Sequence, residues 1–120
     1  MRVLFLDDDA YRHDCFARRL PDEEIRHVHG HDEALTALST TRFDVVYLDH
    51  DLEDFRAVEP SELNKTGLDV ARFIAGSVAA ELRPAKVVVH SWNESGARQM
   101  AEILRTAGIP VLLEPFVEDD

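Results

Sequence analysis

Val3-Leu4-Phe5-Leu6 runs directly into Asp7-Asp8-Asp9. A short apolar run that stops abruptly in acids reads as a buried strand whose carboxyl end opens on a polar site. Three adjacent carboxylates repel one another. They become favourable together around a hard cation such as Mg²⁺ or Mn²⁺. A strand end followed by an aspartate helix cap, with the surplus acid in water, accounts for the same residues. Two later stretches repeat the pattern: Leu48-Asp49-His50-Asp51-Leu52 and Val89-His90-Ser91-Trp92-Asn93.

The elements that must position these groups follow from periodicity. The spacing predicts a helix over 10–20, ended by Pro21, with Phe16 and Leu20 on one face. A weaker strand with a polar rhythm covers 24–29, the look of a sheet edge. Asp32 can cap a helix carrying Leu35 and Leu38. A second strongly apolar strand covers 43–48. Residues 53–66 read as a long polar loop. Gly67 opens a helix through about residue 80, and Pro84 breaks the chain before an apolar strand over 85–90. Asn93 or Ser95 caps the last helix, whose core face carries Ala97, Met100, Ile103 and Leu104. Gly108 and Pro110 close it, and 109–113 forms a fifth strand.

Strands that alternate with helices and are nearly continuous in apolar residues imply a parallel sheet covered on both faces. Right-handed crossovers leave few topologies. The expectation is a doubly wound, flavodoxin-like α/β fold of five parallel strands in the order 2-1-3-4-5, forming one domain over 1–120. Its site lies beyond the carboxyl ends of strands one, three and four. Those ends are Asp7-Asp8-Asp9, Asp49-His50-Asp51 and His90-Ser91, so every unusual polar cluster converges on one crevice.

Composition limits the partners. The net charge is −11, from 13 basic and 24 acidic residues. A broad nucleic-acid surface needs clustered lysine and arginine and is not expected. A single strand end held through a metal remains compatible. Cys15 is the only cysteine, so no internal disulfide forms. No apolar run approaches the roughly 20 residues that span a bilayer, and no secretory signal precedes the first strand. A cytoplasmic protein without membrane contact is the expectation.

These residues resemble a response-regulator receiver domain across nearly the whole chain. Asp7 and Asp8 match its acidic pair, Asp49 its phosphoacceptor, Gly67 its third-helix glycine and Ser91 its Ser/Thr. Glu114-Pro115-Phe116 stands where receivers carry Lys-Pro-Phe. A carboxylate there weakens phosphoryl binding, which argues against ordinary phosphorelay. The loop after Asp49 is longer than in receivers, and the fifth helix is missing. More narrowly, the sequence is similar to the cyclic-phosphate-processing receiver domains. The matching pieces are Asp7-Asp8 with Arg12-His13, Leu48-Asp49-His50-Asp51-Leu52, Val89-His90-Ser91, Asn93, Gly96 and Met100. That resemblance implies hydrolysis of terminal cyclic phosphates in RNA-end metabolism.

Under that resemblance Asp7, Asp8 and Asp49 are the metal ligands, for Mg²⁺ or Mn²⁺. Asp51 adds a carboxylate that ligates or orients a neighbour. Asp49 is either an acyl-phosphate nucleophile or a ligand, and without the lysine the ligand role fits better. His50 and His90 form an acid–base pair for opening a cyclic phosphate, or else His50 points into the loop and His90 hydrogen-bonds inside the crevice. Arg12 clamps a phosphate or braces a carboxylate. Ser91 and Asn93 bind an anion with the last helix's first amides, or serve only as caps. Arg56 or Lys65, in the long loop, folds over the crevice and replaces the missing positive charge, or else the loop stays mobile until substrate binds. Trp92 stacks on a base or sugar, or fills the gap between strand and helix. His27, His29 and His31 alternate along an exposed edge.

The substrate is then a phosphate-bearing small molecule or an RNA 3′ end. The face lacking the fifth helix leaves part of an apolar sheet bare. It is expected to pair in a homodimer or with another protein, or to be covered by the chain's own tail. The rival function is a non-catalytic signalling module, with or without phosphorylation at Asp49.

Overall fold

The computed structural model describes residues 1–50 and 66–117. Five strands, β1 (Arg2–Leu6), β2 (Glu24–Val28), β3 (Val45–Leu48), β4 (Lys86–Val89) and β5 (Val111–Leu113), form one sheet in the order β2-β1-β3-β4-β5. Every pairing is parallel. Four α-helices alternate with them: α1 (Ala10–Arg19), α2 (His31–Thr40), α3 (Gly67–Gly76) and α4 (Glu94–Thr106). A 3-10 turn follows α3 at Ala80–Leu82. The expected doubly wound topology is therefore what the chain adopts.

Alternation along the strands divides the core. Leu4, Leu6, Val46, Leu48, Val87 and Val89 meet the apolar faces of α2, α3 and α4. Val3 and Phe5 point the other way and pack with Cys15 and Phe16 of α1. Phe116 completes this smaller cluster from beyond β5. The segment after β5 thus covers part of the face that a fifth helix would occupy. Its carbonyls hold it there: Arg19 donates to that of Val117, and the Trp92 indole N–H to that of Phe116. Leu112 and Leu113 stay exposed at the edge. Among the described residues no helix is long and apolar enough to cross a membrane.

Two local expectations change. Asp32 does not cap α2. Gly30 occupies the cap position, and Asp32 lies in the first turn, accepting from His31 Nδ1 at 2.8 Å. His31 is consequently helical and buried, with its Nε2 on Asp69 of α3, and does not continue the edge row. Side-chain pairing across two helices outweighed the alternation. The helix opened by Gly67 stops at Gly76, three to four residues early, because the chain tightens into the 3-10 turn before Pro84. The 53–65 part of the long loop lies outside the described residues. So do Asp51, Arg56, Lys65 and the last three residues of the tail.

Candidate active site

Asp7 ends β1 and is fully buried, yet no part of its carboxylate lacks a partner. The Asp9 amide donates to Oδ1 at 2.8 Å, and His90 Nε2 donates to Oδ2 at 2.9 Å. Arg12 Nη1 approaches Oδ2 at 3.4 Å. Burial raises the Asp7 pKa, but the His90 bond, the Asp9 amide and the Arg12 charge outweigh it and hold the group below its ordinary value. Asp9 is the helix cap: its Oδ1 accepts from the Tyr11 and Arg12 amides at 2.8 and 3.4 Å. One acid of the triplet is therefore structural, as the capping alternative required.

Asp49 ends β3 beside Asp7. Arg12 Nη1 lies 4.0 Å from its Oδ2, so one guanidinium faces both carboxylates. Burial first, and the Asp7 charge second, push the Asp49 pKa up to about 7 against the pull of Arg12. Its Oδ1 accepts from the His50 amide at 2.9 Å. Asp7, Asp49 and His90 each offer a donor atom within 4.8 Å of the others. The two carboxylates suit a hard divalent cation, and the raised Asp49 pKa is what two buried acids without enough positive charge produce. The donor set therefore fits such an ion. Asp8 lines the adjoining cavity but is outside the three-donor group.

His90, only 1% exposed, is the next residue along from Val89 at the end of β4. Its ring stacks on Phe5 with centroids 4.9 Å apart. Burial lowers its pKa, against the pull of Asp7, and the neutral ring donates from Nε2. Its Nδ1 is buried without a hydrogen-bond partner among the described residues. His50 lies on the other side of the sheet. Its ring covers Gly96 of α4, and Asn93 Nδ2 reaches its Nδ1 at 3.4 Å. The two imidazoles are thus not brought together, and neither lines the cavity above the acids. That cavity, about 230 Å³, is lined by Asp8, Asp9, Arg12, Asp49, Ser91 and Trp92.

Ser91 Oγ accepts from the Asn93 amide at 3.0 Å, and Asn93 Oδ1 from the Gly96 amide at 2.9 Å, which makes Asn93 the cap of α4. Ser91 does not cap α4; it supports the cap residue and lines the cavity. Glu114 is exposed and lines a groove on the α1 side with Tyr47.

One contributor was not assigned a contact from the sequence. His13 of α1 is buried and donates from Nε2 to the Asp7 carbonyl at 2.8 Å. Its bare Nδ1 then accepts from His27 Nδ1 at 2.7 Å, and the His29 ring lies 4.1 Å away. The signal was its place one turn into the helix that follows the acids, where a side chain points back toward the strand end.

Gly96 predicts a separable defect. A Cβ there would stand 2.4 Å from His50 Cδ2. That atom is the far end of a side chain, so the ring can swing aside and the fold survive. Gly96→Ala is expected to lower any turnover that depends on His50 by about tenfold or more, with thermal stability nearly unchanged. Parallel steady-state rates and melting curves check this.

A buried Asp–Asp pair at the ends of β1 and β3, in this strand order, defines a receiver-type domain. The chain belongs to the cyclic-phosphate processing receiver domain family, whose model matches residues 2–106. Among curated proteins none matches. Solved receiver structures share the fold. A CheY-like receiver domain from Methylobacillus flagellatus superposes with a TM-score of 0.69 at 18% identity, covering 98% of this chain and 88% of that one. A Pseudomonas aeruginosa sensor-kinase receiver domain, described with magnesium coordinated in its active-site cleft, gives 0.65 at 19%, covering 97% and 86%. A Burkholderia pseudomallei response regulator, described with a phosphorylated aspartate and a calcium ion, gives 0.67 at 22%, covering 97% and 61%.

Proposed function

We propose that this protein is a metal-dependent phosphoesterase-like receiver that hydrolyses a cyclic or terminal phosphate, with an RNA 3′ end as the fitting substrate class. The observation that carries the reading is the buried His90–Asp7 pair beneath an acid-lined cavity that also presents Arg12. Phosphorelay needs a cation reaching in from the fifth strand, and Glu114 stands there. Membership of the family supports the same reading.

Asp7 and Asp49 would hold a divalent cation, Mg²⁺ or Mn²⁺, which would supply neutralising charge for the phosphoryl group. Arg12 turns from the carboxylates to a second phosphoryl oxygen. His90 is a positioning residue: its Nε2–H fixes Asp7 Oδ2 and keeps the carboxylate ionised. We assign proton transfer to His50, whose ring rests over Gly96 outside the cavity and must turn toward the phosphate to act. Water attacks phosphorus, and the bond to the ribose 2′ oxygen breaks. His50 gives that oxygen its proton and recovers the one lost by the water.

The test is turnover of an RNA oligonucleotide ending in a 2′,3′-cyclic phosphate, with Mg²⁺ or Mn²⁺ present. Ring opening abolished by EDTA is expected. His50→Ala should lose about 100-fold or more in rate with cation affinity intact. His90→Phe, which keeps the stack on Phe5, should bind the cation about 10- to 100-fold more weakly. No turnover by folded, cation-loaded protein would reject the reading. The position of Asp49 favours a second reading, a signalling module. Stable labelling by acetyl phosphate, lost in Asp49→Asn, would support that instead.

A further inference from the structure

Trp92 is 63% exposed, among the most exposed of the large apolar side chains. It does not fill a gap between strand and helix. Nor does it hang loose, because its indole N–H donates to the Phe116 carbonyl at 2.9 Å and pins one edge of the ring. It is also the only tryptophan in the chain, and it stands on the rim of the cavity that holds Asp49, Arg12 and Ser91. An indole fixed at its edge and open to water on a face is a preorganised stacking surface.

We propose that Trp92 is a nucleobase platform, so that the site takes a nucleotide-type phosphate and discriminates against phosphates without a base. The proposal rests on the phosphoesterase reading above and adds the class of group carried next to the phosphate. Cavity size supports it. At about 230 Å³ the space over the acids falls below the roughly 300–1,000 Å³ of a small-molecule pocket. It admits the phosphate end and leaves the remainder of the molecule on the rim, where the indole lies.

Charge supports it too. Asp8 and Asp9 line the same cavity, and the chain carries −11 overall. Attraction to a run of phosphates, the usual source of nucleic-acid affinity, is not available here. A nucleotide must then be held by its one reacting phosphate and by its ring. Stacking on an aromatic side chain tolerates any base, because every base has a π-face. The specificity expected is therefore for the presence of a base at a terminal nucleotide and not for its identity.

The experiment uses the full chain with Mg²⁺ and follows binding by calorimetry and by the fluorescence of the single tryptophan. The probes are adenosine 3′-monophosphate and a ribose 3-phosphate methyl glycoside that lacks the base. The nucleotide should quench Trp92 and bind about ten- to 100-fold more tightly than the base-free probe. Trp92→Leu should bring the two affinities together, and Trp92→Phe should restore most of the difference. Equal binding of both probes to the natural chain would overturn the platform while leaving the phosphate site standing. Binding of neither probe by cation-loaded protein would overturn the platform and the phosphoesterase reading together.

Discussion

Asp49→Asn should make the cation-free protein more stable at pH 8, by up to about 4 kcal/mol and on the order of 10 °C in melting temperature. The sign follows from Asp49's raised pKa, which moves from 3.8 to about 7 in the folded chain. Below pH ~4 both folded and unfolded chains hold the proton, and the group is neutral to stability. Between pH ~4 and ~7 the folded chain keeps a proton that the unfolded chain has lost, so each unit of rising pH removes about 1.4 kcal/mol. Above pH ~7 both are ionised and the loss is complete. The asparagine variant cannot ionise and escapes this decline. Asp7, whose pKa is held low, works at the other end: its contribution is present above its ordinary range and is lost as the solution is acidified.

A divalent cation held by Asp7 and Asp49 would reverse the penalty, because it would bind the ionised carboxylate and displace a proton. Mg²⁺ should therefore raise the melting temperature of the natural chain far more at pH 8 than at pH 5, and that of Asp49→Asn little at either. Melting curves at both pH values, with EDTA or Mg²⁺, check all four arms. Parallel pH curves for the two proteins would sink the argument, since the general repulsion within a chain of net charge −11 is nearly common to both.

Gly67→Ala is expected to cost more than about 3 kcal/mol and to leave little folded protein at 37 °C. Gly67 opens α3, and its amide donates to the His50 carbonyl at 2.8 Å. A Cβ built there stands 1.8 Å from the Asp49 carbonyl oxygen and 2.8 Å from His50 Cα. These are backbone atoms at the end of β3, with no side-chain torsion to relieve the clash. Either α3 is pushed off the sheet, or the loop bearing Asp49 moves and the Asp7–Asp49 pair opens. Gly76→Ala is the control. Nothing lies within 4 Å of its Cβ, so it should be neutral or slightly stabilising. Chemical denaturation of the two variants separates close approach from glycine's general helix penalty. Equal stability would mean that the tight contact at Gly67 is not what the residue provides.

Much of this architecture was legible before the fold. Val3–Leu6, Val45–Leu48 and Val87–Val89 announce themselves as buried parallel strands because short apolar runs end in Asp or His. Right-handed crossovers left few strand orders, the flavodoxin-like one was the natural choice, and in it the acids had to share one crevice. The capping roles of Asp9 and Asn93 were likewise written in local sequence, since a cap needs only its own helix.

Other features depended on packing. The sequence offered Arg12 as a brace for one carboxylate or as a phosphate clamp; that one guanidinium faces both Asp7 and Asp49 is a result of packing. His13 on the Asp7 carbonyl is likewise a contact between a helix and a strand end that spacing alone does not select. The clearest case is the histidine pair. His50 and His90 both follow apolar strands and look equivalent in sequence. The register pairs Leu48 with Val89, which puts those two side chains on one face. His50, two residues past Leu48, is carried to the α4 side, and His90, one past Val89, to the α1 side. Because side chains alternate along a strand, a one-residue difference in pairing moves a group across the sheet. The sequence by itself determined that Asp7, Asp49 and His90 stand at strand ends; pairing between strands far apart in the chain decided which face each would serve.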